Sequence, residues 1–241
     1  MNAIRSLIFV IWLYGTMLVL GILGLPTLLL PRQAPLAVMK LYARMVVFGL
    51  RWIAGVRLEF RGLQHVPEGP VIIAGKHQAM LDVFAPFVMF KDPVVVMKRE
   101  LLWYPILGWY CLRTGMIAID RAGSARTVKL MLKAAQEKVA IGAGRQMIIF
   151  PEGTRSLPGA VPDYKPAGLR TFYKALQLPI LPVATNSGQC WPAHGLIRTP
   201  GTVVYEVMPA IEPGLHHKEM LAQVTSRLED ASTALLAINP R

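Results

Sequence analysis

A long uncharged apolar run near the N-terminus constrains this chain more than any other part of its sequence. Residues 7–30 form a stretch of 24 residues without a formal charge. At about 1.5 Å per residue, a helix of that length would cross a hydrocarbon layer of about 30 Å. Pro26 and Pro31 interrupt the end of the run, so we expect the helix to stop near Leu25. The run predicts a membrane helix that either spans the bilayer or lies in one leaflet, and a signal peptide is the competing interpretation.

The next apolar stretch, residues 36–56, carries its basic residues on one helical stripe. Lys40, Arg44 and Arg51 fall within about 40° of one another at about 100° per residue. This pattern is typical of a helix in the membrane interface, and an amphipathic core helix is the alternative. Residues 1–61 hold seven basic residues and one acid, so they supply half of the net charge of +12. Basic residues beside a membrane segment indicate association with the cytoplasmic face of the inner membrane.

The composition limits what the rest of the chain can be. The chain has 241 residues, of which 54% are hydrophobic and 17% charged, and this excludes intrinsic disorder. The excess positive charge indicates an acidic partner, which could be nucleic acid, anionic lipid or a phosphorylated substrate. Cys111 and Cys190 have neither disulfide-framework nor zinc-site spacing, so we expect a reducing compartment.

From residue 56 onward, short β-type runs alternate with helical ones. Residues 56–61 alternate with period two, and six further runs are rich in β-branched residues: 71–74, 94–97, 116–119, 146–150, 180–184 and 203–207. Helices are predicted at 124–141, 168–177 and 217–237, with Ser124 and Gly142 bounding the first. This order predicts a layered α/β domain over residues 56–241, with a mixed central sheet flanked by helices. Residues 1–55 would form a preceding pair of membrane-anchoring helices.

The segment after the second predicted strand places a histidine and a carboxylate five positions apart. His77 follows a turn at Gly75, and Asp82 would lie in the first turns of the next helix. In that arrangement the carboxylate can fold back to one ring nitrogen and leave the other free as a base. A histidine titrates near pH 6.5 in model peptides and is therefore suited to take a proton from a hydroxyl. A capping or surface histidine is the alternative for this spacing alone.

Two other strand ends carry groups suited to bind an anion. The residues are Glu152, Gly153, Thr154 and Arg155 after the strand at 146–150, and Asp120 and Arg121 after the strand at 116–119. Ligands collect at the carboxyl ends of strands in open α/β sheets. Glycine lets the backbone approach an anion, threonine adds a hydroxyl, and arginine offers a forked donor matched to phosphate. A surface ion pair is the alternative at each strand end.

These three sites, in this order, resemble the glycerolipid acyltransferase family. The motifs are HQAMLD at 77–82, GMIAIDR at 115–121, FPEGTRS at 150–156 and a fourth, LPILPVA, at 178–184; KREL at 98–101 also matches a family segment. The similarity covers roughly residues 56–215 and is closest to the 1-acylglycerol-3-phosphate (lysophosphatidate) acyltransferases. The sequence departs from the family pattern at Ala79, where serine is common, and at Lys76, where asparagine is common.

The resemblance implies a reaction and a role for each site. An acyl group would pass from an acyl-carrier-protein or coenzyme A thioester to the free hydroxyl of a lysophospholipid, and 1-acylglycerol-3-phosphate would give phosphatidic acid. His77 would deprotonate the hydroxyl, Asp82 would orient His77, and backbone amides would hold the oxyanion. Arg121 and Arg155, with the loop of Glu152, Gly153 and Thr154, would hold the acceptor's phosphate. The mechanism requires no metal and no cofactor beyond the thioester co-substrate.

Other functions fit parts of the same pattern. An ornithine lysolipid or lysophosphatidylglycerol could be the acceptor, and a non-catalytic membrane-surface module could retain the motifs. Nucleic-acid binding fits least, because the basic residues cluster beside apolar helices and no recognised binding motif is evident. An aromatic run comprises Trp103, Tyr104, Trp109 and Tyr110. These residues predict a surface that faces the membrane interface, and packing in the core is the alternative.

Overall fold

The computed structural model of the chain describes residues 1–119, 125–140 and 144–239. Two N-terminal helices, α1 (Asn2–Leu23) and α2 (Gln33–Gly49), precede an alternation of strands and helices. The strands are β1 (Val56–Arg61), β2 (Val71–Gly75), β3 (Pro93–Lys98), β4 (Ile117–Ile119), β5 (Gln146–Ile149), β6 (Ile180–Thr185) and β7 (Gly201–Val207). The later helices are α3 (Leu81–Met89), α4 (Leu107–Thr114), α5 (Ala125–Val139), α6 (Ala167–Leu176), α7 (Ser187–Cys190) and α8 (His217–Leu235).

The strands of the described residues form one sheet in the order β1-β7-β6-β2-β5-β3-β4. Neighbouring strands run parallel except for β6 and β7, which are antiparallel. The predicted mixed α/β fold is therefore confirmed, and each predicted strand forms within two residues of its expected bounds. Because β2 and β5 are parallel neighbours, their carboxyl ends meet at one edge of the sheet, and both lead into sequence motifs.

The position of each strand in the sheet follows from its pattern of apolar residues. Every residue of β2 is buried, as expected for a strand with β6 and β5 on its two sides and layers above and below. The edge strand β1 instead alternates buried or half-buried positions with exposed ones, so only one of its faces packs on the core. The sheet thus carries its most apolar strands at its centre, beneath the site described below.

The first helix ends where the prolines require it to end. α1 stops at Leu23, and Pro26 lies in a short 3-10 turn at Leu25–Leu29, close to the predicted stop at Leu25. By length and composition α1 could cross a membrane, and only 22% of its most apolar window is buried. Its buried residues Phe9 and Leu13 belong to the same core cluster as the central strands. The N-terminal helices therefore share a core with the α/β layers across the predicted boundary at residue 55.

The second helix departs from the predicted stripe at its C-terminal end. α2 passes into a π-helical turn at Leu50–Ala54, and this change of winding removes Arg51 from the regular spacing of about 100°. Arg44 and Arg51 are exposed, whereas the Lys40 Nζ donates to the carbonyl of Lys91 at 2.9 Å. Only two of the three basic residues are thus fully available to an anionic surface.

The aromatic run of residues 103–110 divides between surface and core. Trp103, Tyr104 and Trp109 are 76%, 60% and 50% exposed, which agrees with the predicted surface. The prediction is wrong for Tyr110, which is buried and donates its hydroxyl to the carbonyl of Gly21 at 3.3 Å. The second half of the segment begins the helix α4, which the sequence pattern did not indicate, and this helix packs against the end of α1.

Candidate active site

The proposed base and its carboxylate meet where β2 runs into α3. His77 lies in the connecting loop, Asp82 lies in the first turn of α3, and the His77 Nδ1 is 3.1 Å from the Asp82 Oδ2. The same oxygen accepts the backbone N–H groups of Gln78 and Ala79 at 2.6 and 2.8 Å. These two N–H groups lie in the loop just before α3, and a carboxylate in the first turn of a helix also interacts favourably with the helix dipole. The predicted fold-back of Asp82 onto His77 is therefore present.

The imidazole of His77 is held so that one nitrogen remains on the open side. Its ring stacks on Phe150, the residue after β5, with centroids 4.3 Å apart and an angle of 21° between the ring planes. The side chain is 15% exposed, and its Nδ1 faces Asp82, so the Nε2 lies on the other side of the ring. A base oriented in this way can accept a proton from a substrate at its Nε2.

The side chain of Glu152 points into the protein and supports the backbone of His77. It is fully buried, and its Oε1 accepts the backbone N–H of His77 at 2.7 Å. In the same loop, the Ser156 N–H donates to the His77 carbonyl at 2.8 Å. Burial raises the pKa of the Glu152 carboxyl, while the contacts with Ser156 and Lys76 act in the opposite direction. The Glu152 side chain thus contacts the backbone of His77 inside the protein, and its predicted contact with a substrate phosphate stays a prediction.

Lys76 links this carboxylate to the C-terminal helix. Its Nζ lies 3.8 Å from the Glu152 Oε1 and 2.6 Å from the Glu229 Oε1 in α8, and its side chain is 1% exposed. The Tyr164 hydroxyl donates to the same oxygen of Glu229 at 2.7 Å. The departure from the family pattern at Lys76 is therefore part of a buried network, in which one cation lies between two carboxylates.

The other residues of the predicted phosphate loop reach the surface. Gly153 has φ +69°, a left-handed conformation that favours glycine, and it turns the chain so that Thr154 and Arg155 are exposed. The Arg155 Nη1 donates to the carbonyl of Ala193 at 2.9 Å. This bond uses one of the five N–H donors of a guanidinium and fixes its direction. Asp120 and Arg121 lie outside the described residues.

Two polar contacts at the site, made by Tyr205 and Glu229, were not predicted from the sequence. The Tyr205 hydroxyl, from β7, donates to the Asp82 Oδ1 at 2.8 Å. The strand itself is predicted, but a contact between residues separated by 123 positions leaves no local spacing to detect. Glu229 is missed for the same reason, because it meets Lys76 across 153 positions.

Comparison with known proteins places this site in a family. The family model described as Acyltransferase matches residues 57–186, which is more than half of the chain. A 1-acyl-sn-glycerol-3-phosphate acyltransferase of Pseudomonas aeruginosa is 33% identical over 242 residues, covering 99% of this chain and 93% of that protein. This chain belongs to the acyltransferase family. The predicted family and the predicted enzyme class, an O-acyltransferase, are confirmed.

Two further relatives of this acyltransferase define the extent of the similarity. The human 1-acyl-sn-glycerol-3-phosphate acyltransferase alpha is 30% identical over 177 residues, covering 73% of this chain and 61% of the human protein. The crystal structure of the 1-acyl-sn-glycerophosphate acyltransferase PlsC from Thermotoga maritima has the same fold, with a TM-score of 0.82 over 100% of both chains at 22% identity. The matched family segment ends at residue 186, so Tyr205 and Glu229 of this acyltransferase lie beyond it.

We predict that Lys76→Met destabilises the acyltransferase by about 3–5 kcal/mol, because it removes the cation from beside the buried carboxylate of Glu152. Urea-induced unfolding of the detergent-solubilised protein, followed by tryptophan fluorescence, measures the loss. Lys133→Met is the matched control: Lys133 pairs with Glu137 at 4.0 Å with both side chains mostly exposed, so its removal should have little effect. Equal unfolding midpoints for Lys76→Met and wild type would contradict a stabilising role for this network.

Proposed function

We propose that this acyltransferase transfers a fatty acyl group from an acyl thioester to the free hydroxyl of 1-acylglycerol-3-phosphate and so forms phosphatidic acid. The observation that carries the proposal is the pairing of His77 with Asp82 at 3.1 Å, with the second ring nitrogen facing away from the carboxylate. The substrate class is supported by the relatives, since the bacterial one carries this activity in its name and aligns with 99% of the chain.

The reaction needs one base and one fixed carboxylate. The His77 Nε2 takes the proton of the acceptor hydroxyl as its oxygen attacks the thioester carbonyl carbon, and Asp82 stabilises the resulting imidazolium. The tetrahedral intermediate collapses, the C–S bond breaks, and the thiolate leaving group takes the proton from the imidazolium. The acyl group passes directly to the acceptor. The donor is a thioester of acyl carrier protein or coenzyme A, used as co-substrate without a further cofactor or metal.

The acceptor's phosphate is assigned to the surface of the loop after β5. Arg155 has donors beyond the one that binds Ala193, and the Thr154 hydroxyl is exposed beside it. Arg121 is proposed as a second cation at the same site. Binding the phosphate there would place the acceptor hydroxyl against His77 and reduce the entropy cost of the reaction.

We further propose that the acyltransferase works at the cytoplasmic face of the inner membrane. Four exposed apolar residues of α1 lie within about 60° of one another on the helix: Ile4, Leu7, Ile11 and Leu18. Phe9 and Leu13 pack inward on the opposite side. An apolar stripe of this kind is followed in the chain by the exposed Arg44 of α2 and Arg51 of the π-helical turn. This combination fits the boundary between acyl chains and anionic headgroups.

The exposed aromatic residues extend this apolar surface. α4 is joined to the end of α1 through the Tyr110–Gly21 hydrogen bond, and the Arg113 Nη2 donates to the carbonyl of Leu30 at 2.6 Å. Trp109 lies one turn before Arg113 on α4 and is therefore close to the 3-10 turn that follows α1, while Trp103 ends the 3-10 turn that precedes α4. Tryptophan is enriched at membrane interfaces, because its ring is apolar and its N–H is polar.

We predict that His77→Ala lowers kcat at least about 100-fold, the lower end of what a positioned base contributes. Formation of phosphatidic acid by the purified variant, with thioester and lysophosphatidate supplied, measures this loss. The variant should still fold and bind vesicles, and His65→Ala should keep its activity as a control. Retention of most of the activity by His77→Ala would exclude His77 as the base.

We predict that Arg155→Ala raises the KM for lysophosphatidate about 10- to 100-fold, since a hydrogen bond to a charged group contributes about 1.5–3 kcal/mol. A panel that includes lysophosphatidylglycerol, ornithine lysolipid and uncharged monoacylglycerol identifies the preferred acceptor. Use of the uncharged acceptor should change little, and Arg170→Ala on the exposed side of α6 should match wild type. An equal loss with all acceptors would remove Arg155 from phosphate binding.

We predict that vesicles containing brominated acyl chains quench the tryptophan emission of the wild-type protein, because brominated chains quench only rings that enter the membrane. The double variant Trp103→Phe/Trp109→Phe should lose part of this quenching, whereas Trp191→Phe should not, since Trp191 is buried. Unchanged quenching in the double variant would exclude the aromatic surface from the membrane contact, while no quenching in any form would exclude the membrane association itself.

A further inference from the structure

The carboxylate of Asp82 is held at both of its oxygens. Its Oδ2 accepts from the His77 ring and from two backbone N–H groups, whereas its Oδ1 accepts the Tyr205 hydroxyl at 2.8 Å. The side chain of Asp82 is 1% exposed, so water does not replace these donors freely. Rotation of the carboxylate would break bonds at both oxygens, and the bond to Tyr205 is the one made from outside the β2–α3 segment.

Tyr205 is itself held by the strands on both of its sides. In the sheet it is level with Phe60 of β1 and with Thr185 of β6, so two neighbouring strands set its position along β7. Its ring lies 6.0 Å from the ring of Phe60, and the whole residue is 3% exposed. The hydroxyl therefore reaches Asp82 from a rigid part of the sheet.

The hydroxyl of Tyr205 stays protonated beside the carboxylate. Burial and the negative charge of Asp82 both raise the pKa of Tyr205 well above its usual range. A neutral phenol is a strong donor to a carboxylate, and such a bond has about twice the strength of a bond between neutral groups. This contact can thus both orient the carboxylate and share its negative charge.

We propose that Tyr205 is a positioning residue for acyl transfer: its hydroxyl holds the Asp82 Oδ1 so that the Oδ2 stays aligned with the His77 Nδ1. This inference rests on the proposed roles of His77 and Asp82. It extends the site to a strand beyond residues 57–186, the segment that the family model matches. A fixed carboxylate keeps the imidazole in one tautomer and one orientation, and a histidine that loses such support can turn away from the substrate.

The charged groups around Asp82 determine how the pH dependence of the activity should change when Tyr205 is substituted. Lys76 lines the same small cavity as Asp82 and Tyr205, Glu152 contacts the His77 backbone, and Glu229 reaches the site through Lys76. A substitution at Tyr205 leaves these groups in place. Removing its hydroxyl takes one donor from the carboxylate, so the negative charge of Asp82 attracts the imidazolium form of His77 more strongly. The base then holds its proton up to a higher pH.

The test is Tyr205→Phe, which removes the hydroxyl and keeps the ring. We expect kcat to fall about 10- to 100-fold, the loss typical when the hydrogen-bond partner of a metal-ligating histidine is removed, with an unchanged KM for lysophosphatidate. The acidic limb of the kcat/KM profile should move to higher pH. A purely structural role would lower the amount of folded enzyme and leave the pH profile where it is.

Tyr173→Phe is the matched control, because Tyr173 is equally buried and its hydroxyl donates to the backbone carbonyl of Glu212 at 3.2 Å. It should lower the thermal midpoint about as much as Tyr205→Phe and leave kcat and the pH profile at their wild-type values. If Tyr205→Phe has wild-type kcat and pH profile, or loses kcat with no shift of the acidic limb, the proposal is overturned. The two proposals are tested separately. If Tyr205→Phe contradicts this inference but His77→Ala is inactive, the proposed function is still supported, whereas an active His77→Ala variant refutes the assignment of His77 as the base.

Discussion

The buried carboxylate of Asp82 is the interaction on which the rest of the site depends. An ionised carboxylate taken out of water is tolerated only when donors replace its hydration. Here the donors are two N–H groups at the start of α3, the ring of His77 and the hydroxyl of Tyr205. One side chain therefore fixes the loop before α3, contacts the proposed base and joins the β2–α3 segment to β7. A change at any of these donors alters the other bonds, because all of them meet at the same two oxygens.

A second carboxylate supports the same histidine from the other side. Glu152 accepts the backbone N–H of His77, and Asp82 faces its ring, so backbone and side chain are held separately. The parallel pairing of β2 with β5 makes this possible, since it brings the two loops to one edge of the sheet. Burial raises the pKa of the Glu152 carboxyl, and the positive charge of Lys76 acts in the opposite direction. Lys76 lies between Glu152 and Glu229 and so links this loop to α8.

The part of this arrangement that could be predicted is the part encoded by local patterns. Runs of β-branched residues predict the strands, and the spacing of His77 and Asp82 predicts their contact because a strand-to-helix turn joins them. Nothing local indicates that Glu152 turns inward, since its neighbours Thr154 and Arg155 reach the surface. Tyr205 meets Asp82 across 123 residues, and that contact exists only once the sheet has formed. The resemblance to acyltransferases identified the family correctly, but it did not indicate that Glu152 contacts the backbone of His77.

The N-terminal helices α1 and α2 share packing partners with α3, so the position of one constrains the position of the other. The ring of Trp191 lies 5.4 Å from Phe9 of α1 and 6.5 Å from Phe84 of α3. Tyr42 of α2 contacts Phe84 as well, at 5.6 Å. Because protein cores are close-packed and transmit displacement, a shift of α1 would act through these rings on α3, whose first turn carries Asp82. An acceptor anchored in the bilayer by its acyl chain has a hydroxyl at a fixed depth, and a rigid connection from α1 to His77 would hold the base at that depth.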